Sequence, residues 1–247
     1  MEISNKTVLI TGGGSGIGLD TAKLLSSKGN KVLIIGRNGD KLAKAAKGLD
    51  NVHYYACDIT DAGDVKDLID KIKAEFSDLS FLVNNAAATY VYTHGEGVNA
   101  FEKAREEMLT NYLSVIRLSE SLLPILKEQH EAAIVNVTSL VSVAPVTVIP
   151  TYSDTKAALH SYSLSLRHTL AKDTAIRVFE LMPPLVNTEF SKEIGGETNG
   201  MPSAAVAQAL VNGIENDEDE IYVGQTKDFR DFYLSNPAEA FKTLNQA

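Results

Sequence analysis

The sequence predicts a single-domain α/β fold in which a doubly wound sheet of seven parallel strands is covered by helices on both faces. Three observations support this prediction. Short apolar runs alternate with helix-forming stretches along the whole chain, which is typical of a parallel sheet. A glycine-rich turn joins the first apolar run to the first helical stretch. No repeat, low-complexity segment or linker divides residues 1–247 into separate domains.

The composition is that of an ordinary globular protein. Of 247 residues, 44% are hydrophobic and 22% are charged. The net charge of −9 argues against a broad nucleic-acid-binding surface and against adsorption to an anionic membrane. The only cysteine, Cys57, cannot form an intrachain disulfide, and the N-terminus has no signal-peptide pattern. We therefore expect a cytoplasmic protein that binds neither nucleic acid nor membranes.

The first strand, turn and helix are predicted between residues 7 and 29. Thr7 to Ile10 is apolar and β-branched, and Leu19 to Ser27 has helical spacing. The turn from Thr11 to Gly18 has the spacing Gly-x-x-x-Gly-x-Gly, and no Gly-Lys-Ser/Thr of a P-loop follows it. Its glycines would let the backbone approach a pyrophosphate beside the positive end of the helix. A flexible surface turn is the alternative.

The second strand, Lys31 to Ile35, leads to Arg37, which lies nineteen positions after Gly18. Dinucleotide-binding folds place an acidic residue near this point for the ribose 2′-hydroxyl, or an arginine for a 2′-phosphate. No Asp or Glu occupies this strand end. Arg37 therefore favours NADP over NAD, unless it merely follows the strand.

The third and fourth strands are predicted at Val52 to Cys57 and at Leu79 to Val83. Asp58 follows the third strand, where it can either bind an adenine or cap the next helix, Asp61 to Phe76. The fourth strand ends in Asn84-Asn85-Ala86-Ala87.

A loop and a long helix are predicted for residues 89–127. His94 in the loop from Thr89 to Ala100 either contacts a substrate or is exposed to solvent. The helix from Phe101 to Lys127 contains Asn111, a polar residue on a buried face that needs a hydrogen-bonding partner. Pro124 is expected to kink or end this helix.

The fifth strand, Ala133 to Val137, delivers Ser139 to its carboxyl end, and a helix is predicted from Thr151 to Leu170. Tyr152 and Lys156 share one face of that helix because they are four residues apart. An ammonium group beside a phenol favours the phenolate, which makes Tyr152 a candidate general acid and base. Tyr-x-x-x-Lys arises easily by chance, so this interpretation depends on the position of the pair in the fold.

In the last third of the chain, strands are predicted at Ile176 to Met182 and at Glu220 to Gly224. A helix is predicted between them, from Pro202 to Ile214. Ser191 to Gly200 is polar and contains three glycines, so it is predicted to be mobile. We assign residues 189–214 to a substrate loop and helix. Residues 225–247 form an apolar, aromatic tail that is expected to pack on the body of the protein or on a neighbouring subunit.

Six of the candidate features lie at or just after the carboxyl ends of predicted strands, where ligands bind in such sheets: the glycine turn, Arg37, Asp58, Asn84, Ser139 and Pro183. Tyr152 begins the helix that follows Ser139. The chain resembles the short-chain dehydrogenase/reductase family over residues 5–224. The turn from Thr11 to Gly18 matches the family's cofactor loop, and Asn84-Asn85-Ala86 matches its Asn-Asn-Ala-Gly. Ser139 with Tyr152-x-x-x-Lys156 matches its catalytic set, and Asn111 matches its helix asparagine. Pro183 to Thr188 is similar to the same stretch of the DltE-type bacterial oxidoreductases.

The resemblance implies a single-domain Rossmann fold and oxidoreduction of a carbonyl or alcohol with NADP(H), or with NAD(H). Tyr152 would exchange a proton with the substrate oxygen, to which Ser139 would also hydrogen-bond. Lys156 would hold the nicotinamide ribose and lower the pKa of Tyr152, and Asn111 would position a water. No metal is implied. The implied cofactor-binding residues are Gly12, Gly14, Ser15, Gly16, Ile17, Gly18, Arg37, Asp58, Ile59, Asn85, Ala86, Tyr152, Lys156, Pro183, Val186 and Thr188.

The chain departs from the family pattern at three places. Ala87 and Pro184 replace glycines, and the aromatic tail replaces a glycine pair near the C-terminus. A homodimer through the helices that begin at Phe101 and Thr151, or a homotetramer, is implied, although the changed C-terminus argues against the usual tetramer.

The segments expected to line the substrate pocket are 88–97, 140–150 and 185–200. They are largely apolar or neutral, and His94 and Lys192 are their only basic residues. A small to medium apolar ketone, aldehyde or alcohol fits this lining better than a polyanion or an acyl-carrier thioester. The alternative function is a catalytically silent NADP-binding sensor or scaffold protein.

Overall fold

Seven parallel strands form the sheet of this protein, whose computed structural model describes residues 1–246. The order of the seven strands along the sheet differs from their order in the chain. The nine strands among the described residues are β1 (Thr7–Thr11), β2 (Lys31–Gly36), β3 (Val52–Ala56), β4 (Leu79–Asn84), β5 (Ala132–Val137), β6 (Ile176–Met182), β7 (Val186–Asn187), β8 (Met201–Pro202) and β9 (Glu220–Tyr222). The main sheet has the order β3-β2-β1-β4-β5-β6-β9, and β7 pairs only with β8. The order reverses between β1 and β4, and such a reversal opens a crevice at the carboxyl ends of the strands.

Ten α-helices occur among the described residues. They are α1 (Gly16–Ser27), α2 (Gly39–Ala46), α3 (Ala62–Glu75), α4 (Ala100–Met108), α5 (Ser114–Lys127), α6 (Pro150–Asp173), α7 (Gly196–Asn199), α8 (Ser203–Glu215), α9 (Thr226–Ser235) and α10 (Pro237–Leu244). A π-helical turn (Leu109–Leu113) joins α4 to α5, and 3-10 helices span Leu140–Ser142 and Glu189–Ile194. From residue 1 to residue 246, no helix is long and apolar enough to cross a membrane.

Alternating side chains of the central strands build two apolar layers, one on each face of the sheet. Val8 and Ile10 of β1 pack in one layer with side chains of α1 and α8. Leu9 lies in the other layer with side chains of α3, α5 and α6. Each fully buried aliphatic side chain contributes about 2 kcal/mol to folding by leaving water. This doubly wound arrangement confirms the fold class predicted from the sequence.

Helix α2 was not predicted from the sequence. This helix is only eight residues long and buries a single side chain, Leu42, so its periodic signal is weak. Asn38 starts it, because the Asn38 side chain accepts a hydrogen bond from the Lys41 N–H at 2.9 Å. That capping residue, followed by good helix formers, was the available signal.

The long helix predicted from Phe101 to Lys127 is present, but the π-helical turn divides it into α4 and α5. Pro124 lies inside α5, which continues to Lys127, so the prediction that Pro124 could end the helix was wrong. Phe101, in the first turn of α4, is 76% exposed.

Residues 191–200, predicted to be mobile, include part of a 3-10 helix and all of α7. The pairing of Val186 with Met201 and of Asn187 with Pro202 closes this segment at its base. The aromatic tail forms α9 and α10. Asn245, just after α10, accepts a hydrogen bond from the Thr147 N–H at 2.7 Å and donates one to the Pro145 carbonyl at 3.0 Å. The tail therefore packs on the body of its own chain.

Candidate active site

The glycine-rich turn between β1 and α1 forms one wall of the crevice. Gly12 and Gly16 have φ values of +65° and +54°, a left-handed conformation that favours glycine. A Cβ atom on Gly18 would lie 2.5 Å from the Gly12 carbonyl oxygen, so a larger residue there would displace the turn. Within the described chain, the Ser15 side chain makes no capping hydrogen bond to α1. The first N–H groups of α1 are therefore available to an anionic group.

Hydrogen bonds tie this turn to the end of β4. Thr11 Oγ1 accepts the N–H groups of Asn85 and Ala86, both at 2.9 Å. The Asn85 side chain donates to the Thr11 carbonyl at 2.9 Å. These bonds hold the two strand ends together at the point where the strand order reverses.

Arg37 and Asp58 lie at the ends of β2 and β3, and both line the crevice. Arg37 is exposed, and no carboxylate within residues 1–246 lies within 4.0 Å of its guanidinium group. Asp58 accepts hydrogen bonds from the N–H and hydroxyl of Thr60, at 2.9 Å and 2.7 Å. Asp61, not Asp58, caps α3 by accepting the N–H groups of its first turn. The interpretation of Asp58 as a helix cap was therefore wrong, and adenine binding stays a prediction.

Ser139, Tyr152 and Lys156 line the same cavity as the glycine turn. All three side chains are buried. Lys156 Nζ donates to the Val137 carbonyl at 2.8 Å and lies 5.4 Å from the centroid of the Tyr152 ring. Ser139 Oγ accepts the Val141 N–H at 3.3 Å. The carboxyl end of β5 and the first turns of α6 thus bring together three of the four predicted catalytic residues.

Asn111, the fourth predicted catalytic residue, is fully buried in the π-helical turn, and its neighbour Thr110 lines the cavity. Asn111 Oδ1 accepts the Ala88 N–H at 2.7 Å. Its Nδ2 donates to the Ala88 carbonyl at 2.9 Å and to Thr155 Oγ1 at 3.0 Å. The Asn111 side chain therefore lies one layer behind the cavity wall, and its role with a water stays a prediction.

Burial dominates the electrostatics of Tyr152 and Lys156. Burial raises the pKa of Tyr152, and the carboxylate of Glu107 raises it further. The net shift is upward, opposite to the direction expected from the Lys156 ammonium alone. Burial also lowers the pKa of Lys156 to about 8, although the Glu180 carboxylate opposes this shift. A neutral, buried lysine would therefore form readily above that pH.

Glu180 is a fully buried carboxylate that was not predicted from the sequence to be functional. Thr138 Oγ1 donates to Glu180 Oε1 at 2.6 Å, and His160 Nδ1 lies 2.9 Å from Glu180 Oε2. This contact raises the pKa of His160. The available signal was an acidic residue between the apolar residues Phe179 and Leu181 of β6, since a buried charge needs partners.

The cavity has a volume of about 1020 Å³ and extends from Arg37 to Asn245, just after α10. Every residue implied as a cofactor contact lines it except Gly18, which supports the turn from behind. The positive-φ glycines, the free helix N-terminus and Arg37 together fit a dinucleotide with phosphate groups. From residue 1 to residue 246, no three His, Cys, Asp or Glu side chains converge on a possible metal position.

The other end of the cavity is bounded mainly by apolar and neutral side chains. Most come from the three segments predicted to line a substrate pocket, but Leu244 and Asn245 come from the tail. His94 is exposed on the loop and does not line the cavity, and neither does Lys192. The charged residues at this end are acidic: Glu189 and Glu193.

Comparison with known proteins gives consistent similarities. The family model described as "short chain dehydrogenase" matches residues 6–199. The uncharacterized oxidoreductase DltE of Bacillus subtilis strain 168 is 37% identical over 249 residues, which cover 99% of this chain and 98% of that protein. An NADP-dependent 3-hydroxy acid dehydrogenase of Schizosaccharomyces pombe is 30% identical over 196 residues, which cover 77% of this chain and 75% of that protein.

Solved structures share the fold. A short chain dehydrogenase from Burkholderia cenocepacia J2315, in complex with NADP, superposes with a TM-score of 0.87 at 23% identity and covers 99% of both chains. A short chain dehydrogenase/reductase from Burkholderia phymatum, in complex with NAD, gives a TM-score of 0.86 at 20% identity. The superposition covers 95% of this chain and 96% of that protein. At these identities, the likeness establishes the fold alone.

Proposed function

The chain belongs to the short-chain dehydrogenase family of NAD(P)-dependent oxidoreductases, and we propose that it interconverts a neutral, largely apolar carbonyl compound and its alcohol with NADP(H). One observation carries this proposal. A single cavity joins the residues suited to a dinucleotide with Ser139, Tyr152 and Lys156.

The dinucleotide would be held at the crevice between β1 and β4. The glycine turn and the N-terminus of α1 suit a pyrophosphate, and Arg37 suits a 2′-phosphate. Asp58 and Ile59 would bind the adenine, while Pro183, Val186 and Thr188 would contact the nicotinamide half. When bound, the nicotinamide supplies or accepts the hydride. The protein provides orientation, proton transfer and exclusion of water.

Tyr152 would give its phenol proton to the substrate oxygen in reduction and would take it back in oxidation. Ser139 would donate a hydrogen bond to the same oxygen and stabilise the negative charge that develops there. Lys156 would bind the nicotinamide ribose and, when charged, oppose the upward pKa shift of Tyr152. Asn111 would act by holding Ala88 and Thr155, and through them the cavity wall and α6.

The substrate is proposed to be neutral because the far end of the cavity carries no basic side chain among its described lining residues. Glu189 and Glu193 would repel a carboxylate, and the apolar walls favour a small to medium ketone or aldehyde. The residues 189–214 would form the substrate loop and helix, as predicted from the sequence.

The test is NADPH oxidation with a panel of apolar ketones and aldehydes, together with matched oxo acids and, in the reverse direction, a 3-hydroxy acid. We expect turnover of the neutral compounds and at least tenfold lower kcat/KM for the acids. Tyr152→Phe should lower kcat by roughly 100-fold or more, the size of a general acid contribution, while NADPH binding persists. Tyr54→Phe, on the exposed side of β3, is the matched control and should leave turnover unchanged.

Equal turnover of Tyr152→Phe and the natural protein would remove Tyr152 from the proposed mechanism. NADPH binding without turnover of any compound in the panel would contradict the proposed reaction. It would favour the alternative of a catalytically silent NADP-binding sensor or scaffold.

A further inference from the structure

Two pairs of side chains connect α4 and its π-helical continuation to α6. Glu107 Oε2 accepts a hydrogen bond from Thr151 Oγ1 at 2.5 Å. One helical turn further, Asn111 Nδ2 donates to Thr155 Oγ1 at 3.0 Å. The two pairs therefore lie one above the other at matching intervals of four residues. Thr151 and Thr155 immediately precede Tyr152 and Lys156 in the chain.

Glu107 and Asn111 also bind the same short segment after β4. Glu107 Oε1 accepts the Tyr90 N–H at 2.7 Å, just as Asn111 holds both backbone groups of Ala88. Thr89, between them, lines the substrate end of the cavity. Glu107 and Asn111 thus both join the segment after β4 to α6, but only Asn111 was predicted from the sequence to be functional.

Glu107 is fully buried, but hydrogen-bond donors converge on its carboxylate. The Tyr90 N–H donates to one oxygen and the Thr151 hydroxyl to the other, and Tyr92 Oη lies 2.8 Å from that same hydroxyl. Burial raises the pKa of Glu107, and the two donated bonds oppose this shift because they favour the charged form.

Other titratable groups surround Glu107 and Tyr152. The loop contributes two phenols, and α4 contributes an exposed carboxylate and an ammonium group. Helix α6 contributes one carboxylate and one ammonium group. They are Tyr90 and Tyr92 from the loop, Lys103 and Glu106 from α4, and Asp154 and Lys156 from α6. Among the carboxylates, Glu107 is the buried one that acts on Tyr152.

We propose that Glu107 is a positioning residue that anchors the segment 88–90 to the start of α6, where Thr151 immediately precedes Tyr152. In addition, the Glu107 carboxylate raises the pKa of Tyr152 and so opposes formation of the phenolate. This inference rests on the proposed function. In reduction, the phenol O–H bond breaks as the substrate oxygen gains that proton and the carbonyl carbon gains a hydride. A phenol held in the protonated form is ready for that direction, whereas alcohol oxidation needs the phenolate.

The charge is tested with Glu107→Gln, which keeps an oxygen for the Tyr90 N–H. The kcat/KM for alcohol oxidation rises with pH as Tyr152 loses its proton. Removal of the negative charge should move this rise to lower pH by about one unit, the size of shift that a neighbouring charge produces. Glu106→Gln, which removes the adjacent exposed carboxylate, should leave the profile unchanged.

The anchoring role is tested without turnover, by hydrogen exchange of the backbone amides. Glu107→Ala should speed exchange at Tyr90, and Glu107→Gln should not. Unchanged exchange at Tyr90 in Glu107→Ala would overturn the anchoring role.

If the pH dependence of kcat/KM for alcohol oxidation is the same in Glu107→Gln and in the natural protein, the proposed role of the charge is overturned. If Glu107→Gln does not fold, the profile is measured with Glu107→Leu, which removes the same charge and should shift the profile the same way; an unshifted profile again overturns the role of the charge. Failure of the proposed function is distinct, since the natural protein would then show no turnover at all.

Discussion

Arg37 and Lys41 place two positive charges at the outer end of the cavity, where β2 ends and α2 begins. The α2 helix, missed in the sequence, is what brings Lys41 there. Arg37 is exposed, so a guanidinium group on this rim loses little hydration until an anion arrives. A bidentate guanidinium–phosphate contact is the arrangement that distinguishes a 2′-phosphate from a 2′-hydroxyl.

Arg37→Asp should reverse the preference for the cofactor. Its carboxylate would repel a 2′-phosphate and accept hydrogen bonds from a 2′-hydroxyl. The ratio of NADPH to NADH affinity should fall by roughly 10- to 100-fold, because a hydrogen bond to a charged group contributes about 1.5–3 kcal/mol. Dissociation constants for both cofactors, measured by fluorescence, check this prediction. Arg105→Asp, on the exposed side of α4, is the control, and an unchanged ratio in Arg37→Asp would contradict the preference for NADP.

The C-terminal helices α9 and α10 are the elements that complete the substrate end of the cavity. Asn236 starts α10 by accepting the Glu239 N–H, and Asn245 ends it with two hydrogen bonds to the segment 145–147. Leu244 stands on the cavity wall beside it. The tail therefore supports the apolar segment before α6, which carries much of the predicted substrate lining.

Asn245→Ala should loosen the segment 145–149 without disturbing the dinucleotide end. We expect KM for a ketone substrate to rise by up to about 30-fold, since two hydrogen bonds of about 1 kcal/mol each are lost, while the NADPH dissociation constant stays the same. Steady-state kinetics and hydrogen exchange of residues 145–149 check the two parts. Gln246→Ala, at the neighbouring exposed amide, is the control. A KM that rises equally in both variants would contradict a specific role for Asn245.

The whole molecule exposes apolar side chains along the helices that the family resemblance implies for dimerisation. Phe101 on α4 is 76% exposed, Leu113 in the π-helical turn 50%, and Leu164 on α6 40%. These side chains lie on adjacent elements, since α4 packs against α6. Exposed apolar surface of this kind is typical of a protein–protein interface. The predicted homodimer, or a homotetramer that contains it, would cover this surface.

Leu164→Asp should dissociate that assembly, because it places a charge in an apolar interface. Sedimentation velocity should give a dimer or larger assembly for the natural protein and a lower mass for the variant. Leu234→Asp, at a leucine on α9 that is 62% exposed, is the matched control and should not change the mass. A natural protein that sediments as a monomer would contradict the prediction, as would dissociation by Leu234→Asp alone.

The sheet and most of the cavity could be predicted because their signals are local in the sequence. Strand and helix periodicity determined the seven parallel strands, and the spacing from Gly12 to Gly18 determined the phosphate-binding turn. The carboxyl ends of parallel strands meet at one edge, so the sequence alone could place Arg37, Asp58, Ser139 and Tyr152 around one crevice.

Only the tertiary structure decided which side chains support that crevice from behind. Glu107 meets Thr151 across 44 residues, and Asn245 meets Thr147 across 98. An acidic residue on a helix and an amide near a C-terminus are most often solvated, so neither carries a local signal of burial. The sequence by itself determined the fold, the family and the groups that face the cavity. The positions of the groups one layer deeper, and the direction in which burial shifts the pKa of Tyr152, depend on packing between distant segments, which periodicity and spacing do not encode.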